Sequence, residues 1–175
     1  MTQYSLFLDP HTDNVGVLLV RDSDGQTRPA QRREILCVAR ELVDTDELRG
    51  QSLSSPTAVR DFLRLKLNAS LEHEVCGMIL VDTQHRVIQY LEPFRGTIDQ
   101  ASVYPREIVK LALVHNAKAI FLVHNHPSGV AEASQADIRL TGHVKQALAL
   151  IDVVLLDHFI VAGSIVLSMA EKGLV

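Results

Sequence analysis

Cysteine is scarce in this chain, with two thiols, Cys37 and Cys76, among 175 residues. They stand far apart in the apolar contexts EILCVARELV and EVCGMILV. With no C-x-x-C pair, a thiol metal knuckle or a dithiol redox motif is excluded, and both read as core thiols in a reducing compartment. Surplus positive charge is missing as well: 17 Lys and Arg stand against 21 Asp and Glu, a formal charge of -4. Coating nucleic acid requires a basic face to neutralise phosphates, so that class is disfavoured, while a local basic patch stays compatible with the balance. Apolar runs stay well short of a bilayer span, and the N-terminus has no basic segment leading into an apolar one. The expected location is the cytoplasm, with no membrane partner. Neither internal repeats nor low-complexity segments occur.

A content of 47% hydrophobic and 22% charged residues reads as a soluble globular chain, long enough for one ordinary domain with a short extension. Residues 1–30 are irregular, with YSLFLDP and VGVLLVRD as candidate short strands and turn chemistry in DSDGQTRPA. From Gln31, QRREILCVARELV places Ile35, Val38, Ala39 and Leu42 at helical spacing. The polar stretch from Asp44 to Ser55 reads as a linker. Ser55 as N-cap and Pro56 behind it then open a helix with an apolar face of Val59, Phe62, Leu63 and Leu67, and with Arg60 and Arg64 on its solvated side. EVCGMILVDTQHRVIQYLEPF reads as two strands joined by a turn around Asp82 to His85, and YPREIVKLALVHNA as a helix opened by Pro105, with Ile108, Leu111 and Ala112 inward. KAIFLVHNH is a short apolar strand, a further helix begins near Ser134, and IDVVLLDHFIVAGSIVLSMAEKG supplies two or three short strands. Strands alternating with helices give an α/β class with a mixed sheet.

The apolar strand stops at two histidines. Side chains at i and i+2 share one face of a strand, so His124 and His126 can offer both imidazoles to one ion at the strand's mouth, which suits zinc. Pro127 fixes the exit and Gly129 permits a tight turn, so the next helix can return over the same spot with Ser134 and Asp137. Two imidazoles and a carboxylate are ligands of the kind zinc accepts. A fourth position open to water marks a catalytic site, which still requires a base outside the ligand set. Each part also has a plainer reading: Ser134-Gln-Ala-Asp137 is a capping box as well, and an H-x-H pair can be two solvent-facing loop histidines. Ser134 can serve as cap and as catalytic hydroxyl at once.

Taken together, these parts resemble the JAMM motif of the JAB/MPN metalloprotease family: a distant glutamate, H-x-H-P, six residues, then S-x-x-D. His124-Asn125-His126-Pro127 is followed by Ser128 to Ala133 and then Ser134-Gln-Ala-Asp137 without a gap, and Glu74-Val75-Cys76-Gly77-Met78 is similar to the family's glutamate-led strand. More narrowly, FRGTIDQASVYPREIVKLAL, HNHPSG and LLDHFIVAG resemble the RadC-type branch, from about Ser54 to the C-terminus. Asn125 is that branch's residue in place of the Ser or Thr of eukaryotic members. Full-length RadC-type proteins carry a helix-hairpin-helix segment ahead of the JAB domain, and residues 1–53 do not resemble one. The layout resembles the short RadC-like proteins of bacterial mobile elements.

The resemblance implies a JAB/MPN fold over residues 54–175, a curved mixed β-sheet flanked by helices of the cytidine-deaminase-like kind, behind an N-terminal extension (1–53) with one helix. It implies a zinc-dependent metallohydrolase, a metalloprotease or isopeptidase acting on a peptide or protein substrate, with one Zn2+ per chain on His124, His126 and Asp137. Glu74 is then the general base that later protonates the leaving amine, and Ser134 supports the oxyanion. Glu72, of the same strand parity, is the rival base. His158 is expected near the mouth of the site as a core or supporting histidine, not a fourth ligand. His73, His85, His115 and His143 have no motif around them and are expected at the surface. The rival function is a DNA-repair or mobile-element accessory protein with a non-catalytic zinc site; Glu74 and the acidic balance count against it. An HNH nuclease is excluded because that motif's residues are dispersed over a ββα unit. A zinc deaminase is excluded because H-x-E and P-C-x-x-C are both missing.

Overall fold

The computed structural model describes residues 6–8, 18–21, 25–44, 49–67, 73–96 and 102–175, and the chain divides into two compact units, Met1–Glu47 and Leu48–Val175. In the first unit β1 (Leu6–Leu8), β2 (Leu18–Arg21) and β3 (Thr27–Pro29) form an antiparallel sheet in that order, followed by α1 (Arg32–Asp44). Both candidate strands of the first thirty residues are therefore strands, and the turn-rich segment adds a third that the sequence reading left out. Glu34 fixes the start of α1: its carboxylate accepts the Gln31 N–H at 2.8 Å and a two-point fork from Arg28 at 2.6 and 2.9 Å. The Arg28 fork is the main reason its carboxyl is held down at about 2. The side chains of Cys37 and Leu42 lie outside the described residues.

In the second unit, residues 50–53, exposed except for Leu53, are not a free linker but are hydrogen-bonded to residues 85–87. Gly50 N–H donates to the Val87 carbonyl at 2.8 Å, Val87 N–H to Gln51 at 2.9 Å and Leu53 N–H to His85 at 2.8 Å. The segment is drawn in because Leu53 belongs to the core, where it is 2% exposed. Helix α2 (Pro56–Lys66) starts as its sequence implies, with Ser55 Oγ accepting the Ala58 N–H at 3.2 Å. There follow β4 (Val75–Val81), β5 (Val87–Arg95), α3 (Pro105–Val114), β6 (Ala119–Asn125), α4 (Gln135–Ala149), β7 (Val154–Ala162) and β8 (Ile165–Ser168). These five strands form one mixed sheet in the order β5-β4-β6-β7-β8, in which only β6 and β7 run parallel. A parallel step requires a crossover, and α4 is that crossover.

Because successive strand residues face opposite sides, the central strands feed two cores. Val75, Ile79 and Val81 of β4 with Phe121 and Val123 of β6 meet Val59, Phe62 and Leu63 of α2. Cys76, Met78, Leu80, Ile120 and Leu122 meet Ile108 and Ala112 of α3 and Val144 and Leu148 of α4. Helices on both faces explain why β4 and β6 read as unbroken apolar runs. The same parity sends His124 and His158 to the α4 side. Arg60 is less solvated than its spacing implies: it donates to the Val166 carbonyl at 3.1 Å and pairs with Glu171, tying α2 to the end of β8. Among the described residues no helix is long and apolar enough to cross a membrane.

Candidate metal centre

The site forms where β4 begins, β6 ends and α4 starts. In the β4–β6 ladder Cys76 lies opposite His124. That is the last pair of the ladder, and Glu74 and His126 each lie two residues beyond it. Asn125, of opposite parity, turns to the backbone instead. Its Oδ1 accepts the Val75 N–H at 2.7 Å and its Nδ2 donates to the His73 carbonyl at 3.0 Å. The sequence reading gave Asn125 no role; its place between the two histidines was the available signal.

Helix α4 opens with a capping box: Ser134 Oγ accepts the Asp137 N–H at 3.2 Å, and Asp137 Oδ2 accepts the Ser134 N–H at 2.7 Å. Cap and site turn out to be one construction. Asp137 Oδ1 lies 3.2 Å from His124 Nε2, Oδ2 lies 3.7 Å from His126 Nε2, and the two Nε2 atoms are 2.8 Å apart. One donor atom from each of the three residues falls within 4.8 Å of the others, a group that could hold a metal ion. Tetrahedral zinc with bonds of about 2.0–2.1 Å spaces its ligand atoms roughly 3.3 Å apart, a spacing bracketed by the 2.8 Å imidazole pair and the 4.8 Å that bounds the whole donor set.

Depth is graded across the site. His124 is 2% exposed and Asp137 8%; His126 and Glu74 are half-buried and Ser134 is exposed. Beneath them lies His158, fully buried, its Nε2 2.8 Å from His124 Nδ1 and its Nδ1 2.7 Å from Thr141 Oγ1. It therefore stands behind His124, not at the mouth. Thr141 in turn donates to the Asp137 carbonyl at 2.6 Å. On the outer side, His126 Nδ1 donates to the Val130 carbonyl at 2.8 Å, which leaves Nε2 as the lone-pair nitrogen of the neutral ring.

Electrostatics follow this depth. Burial pulls His124 down to about 4, against the attraction of the Asp137 carboxylate, and drives His158 well below its ordinary value. The Asp137 carboxylate raises His126. Desolvation works to raise Asp137, but His126, His124 and Ser134 outweigh it and hold the carboxyl well below the usual range. Glu74 makes its charge felt here too: burial, then Glu74, then Asp137 push the Cys76 thiol up, and Glu74 adds to the rise of His126. Cys76 is thus a protonated core thiol beside the site.

Glu72 lies outside the described residues. Of the four unassigned histidines only His143 is exposed; His73, His85 and His115 are half-buried, and none joins the cluster among the described residues. Asp157 also went unread. Its carboxylate accepts the His158 N–H at 2.7 Å, the Ala170 N–H at 2.8 Å and the Ser168 hydroxyl at 2.5 Å, which pins β7 to the segment after β8.

A mixed sheet whose central strand ends in H-x-H-P, with a crossover helix opening on S-x-x-D, defines a JAB-domain protein. The family model described as the RadC-like JAB domain matches residues 53–174, and the chain belongs to that family. Over 149 residues it is 52% identical to a UPF0758 protein of Thiobacillus denitrificans, 53% to one of Methylibium petroleiphilum and 49% to one of Shewanella frigidimarina. The match covers 85%, 83% and 85% of this chain and 66%, 67% and 66% of the relatives, so the chain spans about two thirds of their length. Only Val175 lies beyond the 53–174 match, so a likeness of 149 residues also extends upstream of residue 53, further than the motifs alone reach.

Proposed function

We propose that this chain is a zinc-dependent hydrolase that cuts a peptide or isopeptide bond in a peptide or protein substrate, with one Zn2+ per chain held by His124, His126 and Asp137. The observation that carries this reading is Glu74. It is a half-buried carboxylate outside the donor set, immediately ahead of β4, and its charge is felt at both His126 and Cys76. A structural site closed by a fourth ligand has no use for such a group.

Zinc in a donor set of this kind supplies Lewis acidity and a water acidified toward neutrality. The protein supplies the rest. Glu74 accepts the proton of the attacking water as its oxygen bonds the carbonyl carbon, then delivers that proton to the amine nitrogen as the C–N bond breaks. Ser134 Oγ already accepts the Asp137 N–H, so its own hydroxyl proton is available to the oxyanion. Buried His124 and Asp137 form a floor, while exposed Ser134 and half-buried His126 leave the mouth accessible to an extended chain. A buried free thiol at Cys76 fits work in the reducing cytoplasm.

The test is zinc content measured together with fluorophore release from a panel of peptide and isopeptide conjugates. One zinc per chain and turnover of one conjugate class are expected. Zinc without turnover of any conjugate, combined with tight sequence-dependent DNA binding at physiological salt, would favour the accessory-protein reading.

A further inference from the structure

The hydrogen bonds beneath the site have a direction that their geometry dictates. The Asp137 peptide oxygen can only accept, and it lies 2.6 Å from Thr141 Oγ1, so the single hydroxyl proton of Thr141 is used there. Met169 Sδ, a weak acceptor at 3.8 Å, does not compete. At its 2.7 Å contact with His158 Nδ1, Thr141 must therefore accept, and His158 carries its proton on Nδ1. His158 has no solvent exposure and lies against a second imidazole, so the neutral ring is the form that fits, with a bare Nε2. That nitrogen stands 2.8 Å from His124 Nδ1, which has to be the donor. A neutral His124 protonated on Nδ1 keeps its lone pair on Nε2, the atom turned toward His126 and Asp137.

We propose that Thr141 and His158 are positioning residues that lock His124 in the Nδ1–H tautomer and so present its Nε2 lone pair to the metal. The inference rests on the metal reading above and deepens it. The chain also closes on itself: Asp137 gives a carboxylate oxygen to the donor set and its peptide oxygen to Thr141, so one residue fixes both a ligand and the tautomer of another. The Nδ1 of His126 is likewise held as a donor, by the Val130 carbonyl. Carbonyl or carboxylate partners behind a ligating histidine are a general device of metal sites, and their loss typically costs about 10–100-fold in affinity. Here the device is extended through a second histidine and a hydroxyl.

The direct experiment is long-range proton–nitrogen NMR on the metal-free full chain with labelled histidine. His124 and His158 are both expected as Nδ1–H tautomers. His124 found protonated on Nε2, or His158 on Nε2, overturns the proposal without any variant. Zinc competition against a chromogenic chelator supplies the second readout. Thr141→Val, of nearly the same shape, should weaken zinc about 10–100-fold and mix the His124 tautomers, while Thr141→Ser restores both. Thr141→Val with wild-type affinity and an unmixed tautomer would also overturn it. A wild-type chain that takes up no zinc would sink the metal reading and this inference's link to it, while the nitrogen shifts would still decide the relay.

Discussion

Asn125 brackets Glu74: its amide oxygen takes the N–H of the residue after it, Val75, and its amide nitrogen donates to the carbonyl of the residue before it, His73. A side chain with one donor and one acceptor on a planar amide can hold both flanks; a hydroxyl in its place reaches one at most. Asn125→Ala leaves the buried Val75 N–H without its acceptor, at a cost of about 1–3 kcal/mol. Urea denaturation should show that loss with zinc content near wild type, and Asn125→Ser should fall between the two. Unchanged stability in Asn125→Ala would mean that water replaces the amide.

Metal content tests the donor set. His126→Ala removes one of three convergent donors, and zinc should be largely lost on gel filtration. His143→Ala, an exposed position on α4, should keep close to one zinc per chain. Equal zinc in both variants would show that the ion is held elsewhere.

Acid should destabilise the metal-free chain. Folded, His124 takes up a proton only near 4, whereas the unfolded chain does so near 6.5. Between these values the unfolded state binds more protons, so stability rises with pH. The contribution is whole above about pH 6.5 and lost as pH falls toward about 4. At about 1.4 kcal/mol per tenfold change in proton affinity this is roughly 3 kcal/mol. His158, also depressed, acts in the same direction; His126, raised by Asp137, opposes them. The urea midpoint of chelator-stripped protein should therefore fall across this window, and a flat midpoint would show that His124 is hydrated.

What the sequence made legible is local in the chain. The shared face of His124 and His126 follows from strand parity, and the pairing of Ser134 with Asp137 from three-residue helix geometry. The start of α2 follows from Ser55 and Pro56. What it hid depends on long-range register. Nothing local says that β4 enters between β5 and β6, yet that placement brings the start of β4, with Glu74 just ahead of it, to the end of β6. His158 and Thr141 are 17 residues apart, and His158 and His124 are 34 apart, on elements joined by a parallel crossover. Leu53 went unread for the opposite reason: one apolar residue in a polar stretch carries no period, although burial of that side chain pins the segment.

Two glycines should respond in opposite ways. A Cβ at Gly77 would come 2.8 Å from the Leu91 carbonyl, where the β4–β5 register slips between Cys76 and Met78. Gly77→Ala should thus cost about 1–3 kcal/mol, as overpacking against backbone does. At Gly142, inside α4, an added Cβ meets nothing within 4 Å. Gly142→Ala should stabilise by about 0.5–1 kcal/mol, measured by thermal melting. A stable Gly77→Ala would show that β5 yields.

Glu74 separates catalysis from structure, because the hydrolase and the accessory protein make the same demands on every other residue of the site. Glu74→Gln preserves shape and leaves His124, His126 and Asp137 in place, so zinc content and melting temperature should barely change. What disappears is a group that can hold a proton between attack and departure of the amine. Positioned acid–base groups contribute about 10²–10⁴-fold, and turnover of whichever conjugate the wild type cleaves should fall by that order with metal still bound. Glu72→Gln runs alongside, since Glu72 stands two residues before Glu74 in the sequence; it should be nearly neutral, and the reverse pattern would move the base two residues upstream. An active, zinc-loaded Glu74→Gln chain would falsify the mechanism. Loss of zinc in that variant would instead make Glu74 a ligand or the support of one, and the open position required for hydrolysis would be gone.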